Sequence, residues 1–434
     1  MTQVLDQVIR ASDPAPRRLA ILSKLGPGLI TGASDDDPSG IATYSQAGAQ
    51  FGFNMGWTLV ATWPLMSAVQ EICARTGRVT GLGLAGNFKR HYPAAAVYPL
   101  IAVLVLANII NLGADLGAMG AALALVAGGP AHLYVALFAI ASCLFEIFTR
   151  YVRYVAILKW LTLSLFSYVA VVMVVHTPWG EVGSRLLAPS FSFDAAALTM
   201  IVAILGTTIS PYLFFWQSQE EVEETRIRHG ARPLIRAPGQ APGELRRIRL
   251  DTMVGMGFSN LVALSIVLAT ATTLHARGVT DIQTSAQAAE ALRPVAGDLA
   301  FFVFALGIIG TGLLAIPVLA GSAAYALGET AGWHVGLSRP PARARIFYGV
   351  IAAATLLGAL LNFSPIDPVK ALFWAAVING VAAVPIMCLL MLLASRPAAM
   401  GEFAIPPMLK ALGWLATLVM AAAATGMAAS WAMG

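Results

Sequence analysis

The chain has 434 residues, 58% of them hydrophobic and only 11% charged, with a mean hydropathy of +0.75 and a formal net charge of +5. A soluble domain carries about 25% charged residues, so this composition excludes an ordinary soluble protein. The long uncharged runs leave no surface for a basic nucleic-acid groove.

Residues 1–24 are polar and carry Arg10, Arg17, Arg18 and Lys24, so they read as a cytoplasmic segment ahead of a retained first span. Spans of about twenty apolar residues, the length a bilayer core of ~30 Å demands, are predicted at eleven places. They are 25–50, 54–75, 97–127, 131–149, 153–175, 197–219, 251–274, 299–328, 344–362, 369–394 and 409–431. Phe51-Gly52-Phe53-Asn54 makes the first connection a tight turn. The longest polar connection, about 219–250, runs from acidic Glu220-Glu221 and Glu223-Glu224 to a basic, proline-containing stretch. It reads as a solvated connector, with a cytosolic gate as the alternative. An N-terminus inside places 23 of the 27 Lys and Arg residues on the cytoplasmic side, and an odd number of spans puts the C-terminus outside. This is the pattern of a multi-pass protein of a bacterial-type inner membrane.

Two of the spans are interrupted. Asp35-Asp36-Asp37-Pro38-Ser39-Gly40 breaks the first, and Ser210-Pro211-Tyr212 breaks the sixth. Lipid cannot hydrogen-bond free backbone groups, so unwound chain at membrane depth survives only in buried protein or beside a watery cavity. Broken helices at matching places in two halves point to a transporter's binding site. Spans 1–5 (25–175) and 6–10 (197–394) then read as inverted repeats, with 409–431 appended.

An uncompensated carboxylate at the bilayer centre costs about 3 kcal/mol even on lenient scales. Asp37 is therefore the first candidate ligand, with Asp35 and Asp36 as proton-bearing or supporting groups; the plainer alternative is that they cap the helix restarting at Pro38. Pro211 frees carbonyls near Gly206 and Thr207, and the hydroxyls of Thr207, Thr208 and Ser210 add neutral oxygens; the plainer alternative there is a proline kink. Asp115, in Asn111-Leu112-Gly113-Ala114-Asp115-Leu116-Gly117, is either a proton relay or a hydrogen-bonded interior acid. Glu71, Glu146 and Lys159 lie near span ends and read as structural. The six histidines all fall in loops or at helix ends, which argues against a histidine relay or zinc site. Cys73, Cys143 and Cys388 form no C-x-x-C pair and read as small core residues. There is no P-loop, H-E-x-x-H or G-x-S-x-G. An intramembrane aspartyl enzyme using Asp37 and Asp115 is a distant alternative that requires the two carboxyls to meet.

Gly26-Pro27-Gly28, Asp37-Pro38-Ser39-Gly40, Ala42-Thr43, Gln46-Ala47-Gly48-Ala49, Val79-Thr80-Gly81 and Gly206-Thr207-Thr208-Ile209-Ser210-Pro211 together resemble the natural resistance-associated macrophage protein (Nramp) family of divalent-metal transporters. The resemblance implies an all-α, leucine-transporter-like fold of two inverted five-helix repeats plus an eleventh helix, with helices 1 and 6 broken, working by alternating access. It implies metal ligation by Asp37, by the Thr207 carbonyl and by residue 210, with Ser39, Gly40, Thr208 and Tyr212 around the ion. The departures fall on the chemistry. Gly40 stands where the family's first motif has Asn, and Ser210 where the sixth span has Met. Tyr212 and Gln217 replace histidines, and Ala114 and Gly117 replace acids of the proton path. Losing a thioether removes the soft ligand that favours transition metals. The remaining oxygens suit a hard, partly hydrated ion such as magnesium, or manganese with poor discrimination. The metal is then the transported substrate rather than a cofactor, with protons as possible co-substrates of a symporter. The alternative is a small anion such as bicarbonate, held by helix N-termini and the hydroxyls of Ser210, Thr208 and Tyr212.

Overall fold

The computed structural model describes residues 31–32, 34–148, 162–190, 194–364 and 367–433. The segment 1–24, the start of the first span with Gly26-Pro27-Gly28, and the start of the fifth with Lys159 lie outside the described residues. Every long element among the described residues is a helix, and no strand occurs among them.

The first span is helical at residues 31, 32, 34 and 35, opens at Asp36 and Asp37, and resumes as α1 (Pro38–Phe51). The restart has a local cause. Asp37 sits in extended backbone (φ −70°, ψ 170°) and accepts from the Gly40 amide, with Pro38 in the first helical position. A carboxylate cap and a first-turn proline satisfy or remove donors that a new helix would leave bare. Gly52, at φ +59°, turns the chain into α2 (Gly56–Thr80). A left-handed Gly81 ends α2, then come short α3 (Leu84–His91), α4 (Ala94–Ala127), α5 (Ala131–Phe148), α6 (Phe166–Val174) and the interfacial α7 (Trp179–Leu187).

The second break separates α8 (Ala195–Thr208) from α9 (Pro211–Ile227), again with proline opening the new helix. Next come α10 (Ala241–Thr273), short α11 (Ser285–Glu290), α12 (Ala300–Ala331), α13 (Arg345–Leu361), α14 (Pro368–Ala394) and α15 (Pro407–Met433). Seven helices, counting α8–α9 as one, are long and apolar enough among the described residues to cross a membrane. α1 packs against α10, α14 and α8, and also touches α4 and α12. It is the buried axis of the bundle, while α5 and α15 lie at its lipid-facing edge.

The expected connector at 219–250 is largely helical. α9 continues to Ile227, and α10 begins at Ala241, ten residues before the predicted span. Ion pairs account for the extension. Arg247 reaches Glu221 at 2.6 Å and Glu244 at 3.1 Å, while Arg228 reaches Glu244 at 2.8 Å. The buried Arg78 of α2 donates to the Arg232 carbonyl at 2.7 Å and to Gln240 and Thr225 at 3.1 Å. One guanidinium thus fastens α2, α9 and the chain between α9 and α10. The three cysteines are free thiols.

Helices approach closely where glycine allows it. A Cβ on Gly206 would lie 2.0 Å from the Ala376 carbonyl oxygen and 2.5 Å from the Gly380 nitrogen, both backbone atoms of α14 that cannot step aside. Gly206→Ala is expected to destabilise the protein by about 2 kcal/mol, an overpacking cost. Gly183→Ala, where nothing lies within 4 Å, is the control. Thermal midpoints of the two variants in detergent check this, and equal midpoints would contradict the packing described.

Candidate ion-binding site at the two helix breaks

The two breaks face each other in the bundle's interior. A Cβ on Gly40 would meet the Thr207 hydroxyl at 3.0 Å and the Tyr44 ring at 3.3 Å, so glycine lets the α1 break and the end of α8 approach.

Asp37, only 1% exposed, is the centre of the arrangement. Its Oδ1 accepts from the Ser39 hydroxyl at 2.6 Å and the Gly40 amide at 2.8 Å. Its Oδ2 accepts from the Asn111 amide and the Tyr212 hydroxyl, each at 3.1 Å. Four donors from α1, α4 and α9 therefore converge on one carboxylate. Hydrogen bonds to an ionised acceptor are the strong ones, and four together offset part of the cost of burying a carboxylate here.

Asp35 and Asp36 turn the other way, towards α10. Ser259 Oγ lies 2.7 Å from Asp35 Oδ2 and 3.1 Å from Asp36 Oδ1. A hydroxyl has a single proton to donate. Both contacts are hydrogen bonds only when one of the two acids carries a proton of its own.

Asp115 is fully buried, faces the Ser39 amide and lies within electrostatic range of Asp37. Neither of its carboxyl oxygens has a hydrogen-bond partner among the described residues; the same is true of Asn111 Oδ1 and Asp35 Oδ1. Asp37 and Asp115 are not hydrogen-bonded to each other, so the acid dyad of the enzyme alternative is not formed.

The span-6 residues divide. Tyr212 donates directly to Asp37. Ser210 turns back on its own helix, donating to the Gly206 carbonyl at 2.7 Å and the Thr207 carbonyl at 2.8 Å. Thr208 likewise donates to the Ile204 carbonyl at 2.9 Å. Gln217, one helical turn and more beyond Tyr212, accepts from Thr31 across the first break. Glu71 pairs with Arg75 at 2.7 Å. Glu146 is buried on α5 and has no partner among the described residues. No group of three or more His, Cys, Asp or Glu side chains converges as metal ligands would among the described residues.

Two site residues escaped the sequence reading, Asn111 and Ser259. Asn111 carried a usable signal, since it precedes Asp115 by four positions and shares its helix face. Ser259 is one hydroxyl in an apolar span, and nothing in its neighbours marks it.

Ser259→Ala would leave two buried carboxyls without the hydroxyl that both contact. It is expected to destabilise the protein by about 2 kcal/mol, with Ser259→Thr retaining most of the stability. Scanning fluorimetry in detergent measures both, and an alanine variant as stable as the parent would contradict the shared hydroxyl.

Comparison with known proteins places this geometry in context. The family model described as natural resistance-associated macrophage protein-like matches residues 28–430. The divalent metal cation transporter MntH of Burkholderia ambifaria is 27% identical over 92% of this chain and 87% of its own length. That of Chromohalobacter salexigens is 28% identical over 71% of each. Among solved structures, the Eremococcus coleocola manganese transporter superposes with a TM-score of 0.72 at 16% identity, covering 97% of this chain and 89% of that one. Mhp1, a nucleobase-cation-symport-1 family transporter in a closed conformation, superposes with a TM-score of 0.54 at 14% identity, covering 94% and 92%. At these identities the superpositions speak for the fold alone, and that fold is leucine-transporter-like.

Proposed function

Because the chain belongs to the natural resistance-associated macrophage protein-like family, whose members are transporters rather than enzymes, we propose that it moves a hard divalent metal cation, magnesium or manganese, by alternating access between the two helix breaks. The observation that carries this reading is the imbalance of polar atoms around Asp37. The unpartnered buried groups there include both oxygens of Asp115, Asn111 Oδ1 and Asp35 Oδ1, against the hydroxyl donor of Tyr44. A surplus of buried acceptors over donors favours a cation, because each uncompensated oxygen costs free energy that coordination would recover.

The ligand set is all oxygen. Asp37, Asp115, Asn111 and the Thr207 carbonyl would supply it, with water completing the shell. Such a low-charge set fits an ion that keeps part of its hydration, as magnesium does. It also fits the absence of a three-carboxylate cluster among the described residues. In the conformation described, Asp37 spends both oxygens on four donors and the Thr207 carbonyl accepts from Ser210. Binding would exchange the Ser39, Tyr212 and Ser210 hydroxyl contacts for the metal.

The anion alternative fares worse on the same count. It needs free donors, whereas Tyr212 donates to Asp37 and Ser210 and Thr208 donate to their own helix. On the positive-inside pattern, the proposal places the N-terminus in the cytoplasm and the C-terminus outside. Its two halves correspond to 25–175 and 197–394.

Asp37→Ala is expected to reduce metal uptake into proteoliposomes to the protein-free background. Uptake at the parent rate by a folded variant would remove the proposal. A pH-sensitive dye enclosed in the same vesicles reads whether protons accompany the ion.

Ser210→Met tests selectivity. It adds a thioether and frees the two carbonyls that Ser210 now occupies, so uptake should shift from magnesium towards manganese and cadmium by about tenfold. Unchanged metal ratios, measured by competition, would argue against residue 210 facing the ion.

A further inference from the structure

A second feature lies away from the helix breaks, on the bundle's lipid-facing side. α2, the start of α10 and the start of α15 enclose a cavity of about 190 Å³, lined by Trp63, Pro64, Ser67, Met253 and Leu412 together with Glu71, Arg75 and Arg249. Its composition is graded along its length. Trp63 and Pro64 lie on α2 about 18 Å before Arg75, at the ~1.5 Å rise per residue of a helix. The apolar end therefore points into the bilayer, and the basic end lies at the level where α10 and α15 begin. Trp63, Met253 and Met408 are 43%, 41% and 68% exposed, so the cavity opens towards lipid rather than towards the interior.

The charges at the basic end are unequal. Arg75 is neutralised by Glu71 at 2.7 Å. Arg249 is exposed and makes no ion pair or hydrogen bond among the described residues. Basic pockets between transmembrane helices at the headgroup level are where anionic lipid headgroups bind.

We propose that this groove is a binding site for one anionic phospholipid, its phosphate against Arg249 and an acyl chain along Trp63, Pro64, Met253 and Leu412. The shape and the charge point the same way. A soluble anion would leave the apolar arm uncovered, and a zwitterionic lipid would bring a second cation to the side already holding Arg249. The site joins α2, α10 and α15, so lipid binding would also brace the three helices against one another.

The experiment uses the full chain in detergent, with phosphatidylglycerol and phosphatidylcholine as probes, and native mass spectrometry to count retained lipid. The parent protein is expected to retain phosphatidylglycerol in preference to phosphatidylcholine. Arg249→Gln should weaken phosphatidylglycerol retention about fivefold, the loss of one headgroup-level charge, and leave phosphatidylcholine unchanged. Arg246→Gln, on the same helix but outside the lining, should change neither. Leu412→Trp fills the apolar arm and should reduce retention of both lipids. Lipid-free thermal midpoints confirm that each variant is folded. Retention that ignores Arg249, or an equal fall for both lipids in Arg249→Gln, would overturn the proposal. So would retention that survives Leu412→Trp undiminished.

Discussion

A carboxylate held inside a membrane protein without a cationic partner constrains everything around it. Asp37 accepts four hydrogen bonds, from Ser39, Gly40, Asn111 and Tyr212, and these come from three helices. None of these donors is a lysine or arginine. A full positive charge here would lock the site as an internal salt bridge and leave nothing for a cation to gain. Neutral donors hold the carboxylate well enough for it to be buried, and loosely enough to be exchanged. The break in the first span follows from the same requirement. Only an unwound turn lets residue 37 cap α1 through Gly40 while reaching Asn111 and Tyr212 with its other oxygen.

The second break is complementary in a different way. Pro211 unpairs the end of α8, and Ser210 folds its hydroxyl back onto the two carbonyls that this releases. The lone hydroxyl closes a site that the proline has opened, a reversible arrangement in which the carbonyls are covered but not committed to a ladder. Close approach of the two breaks depends on Gly40, where any side chain would press on Thr207. The family motif places Asn at that position. In this chain an amide group reaches Asp37 instead from Asn111 on α4, which donates its N–H to Oδ2 and leaves its own oxygen without a partner among the described residues. A substitution that looks like the loss of a ligand is accompanied by a donor set arranged differently in space.

Much of this was legible in the sequence, and the reasons are physical. The breaks showed because proline and consecutive aspartates are expensive in lipid, so their presence needs a structural cause. The family showed through motifs that surround those breaks. What stayed hidden were side-chain directions. Ser210 and Thr208 were read as facing an ion, yet a hydroxyl in an apolar helix can always turn to the carbonyl four residues back, and spacing alone does not decide between the two. The triplet of aspartates looked like one cluster. Its alternate residues separate around the unwound turn, Asp37 towards α4 and α9, Asp35 and Asp36 towards Ser259 on α10. The polar stretch at 219–250 read as loop because its charges suggested solvent. Arg78, Arg228 and Arg247 instead pair those charges with one another and let α9 and α10 extend past the membrane core.

These details bear on how such a bundle could alternate between states. α1 is the element through which the first break, α10 and the acids communicate, since Ser259 holds Asp35 and Asp36 while Asn111 and Tyr212 hold Asp37. Tilting the chain around Thr31 and Asp35 would disturb both the Ser259 contacts and the Thr31–Gln217 contact, while Asp37 kept its place as the cap of α1. Tilting α9 would instead withdraw Tyr212 from Asp37 and Gln217 from Thr31 together, as both side chains sit on that helix. On the proposed reading, release of Tyr212 would loosen one side of the site and release of Ser259 the other, with Asp37, the candidate ligand, staying fixed to α1.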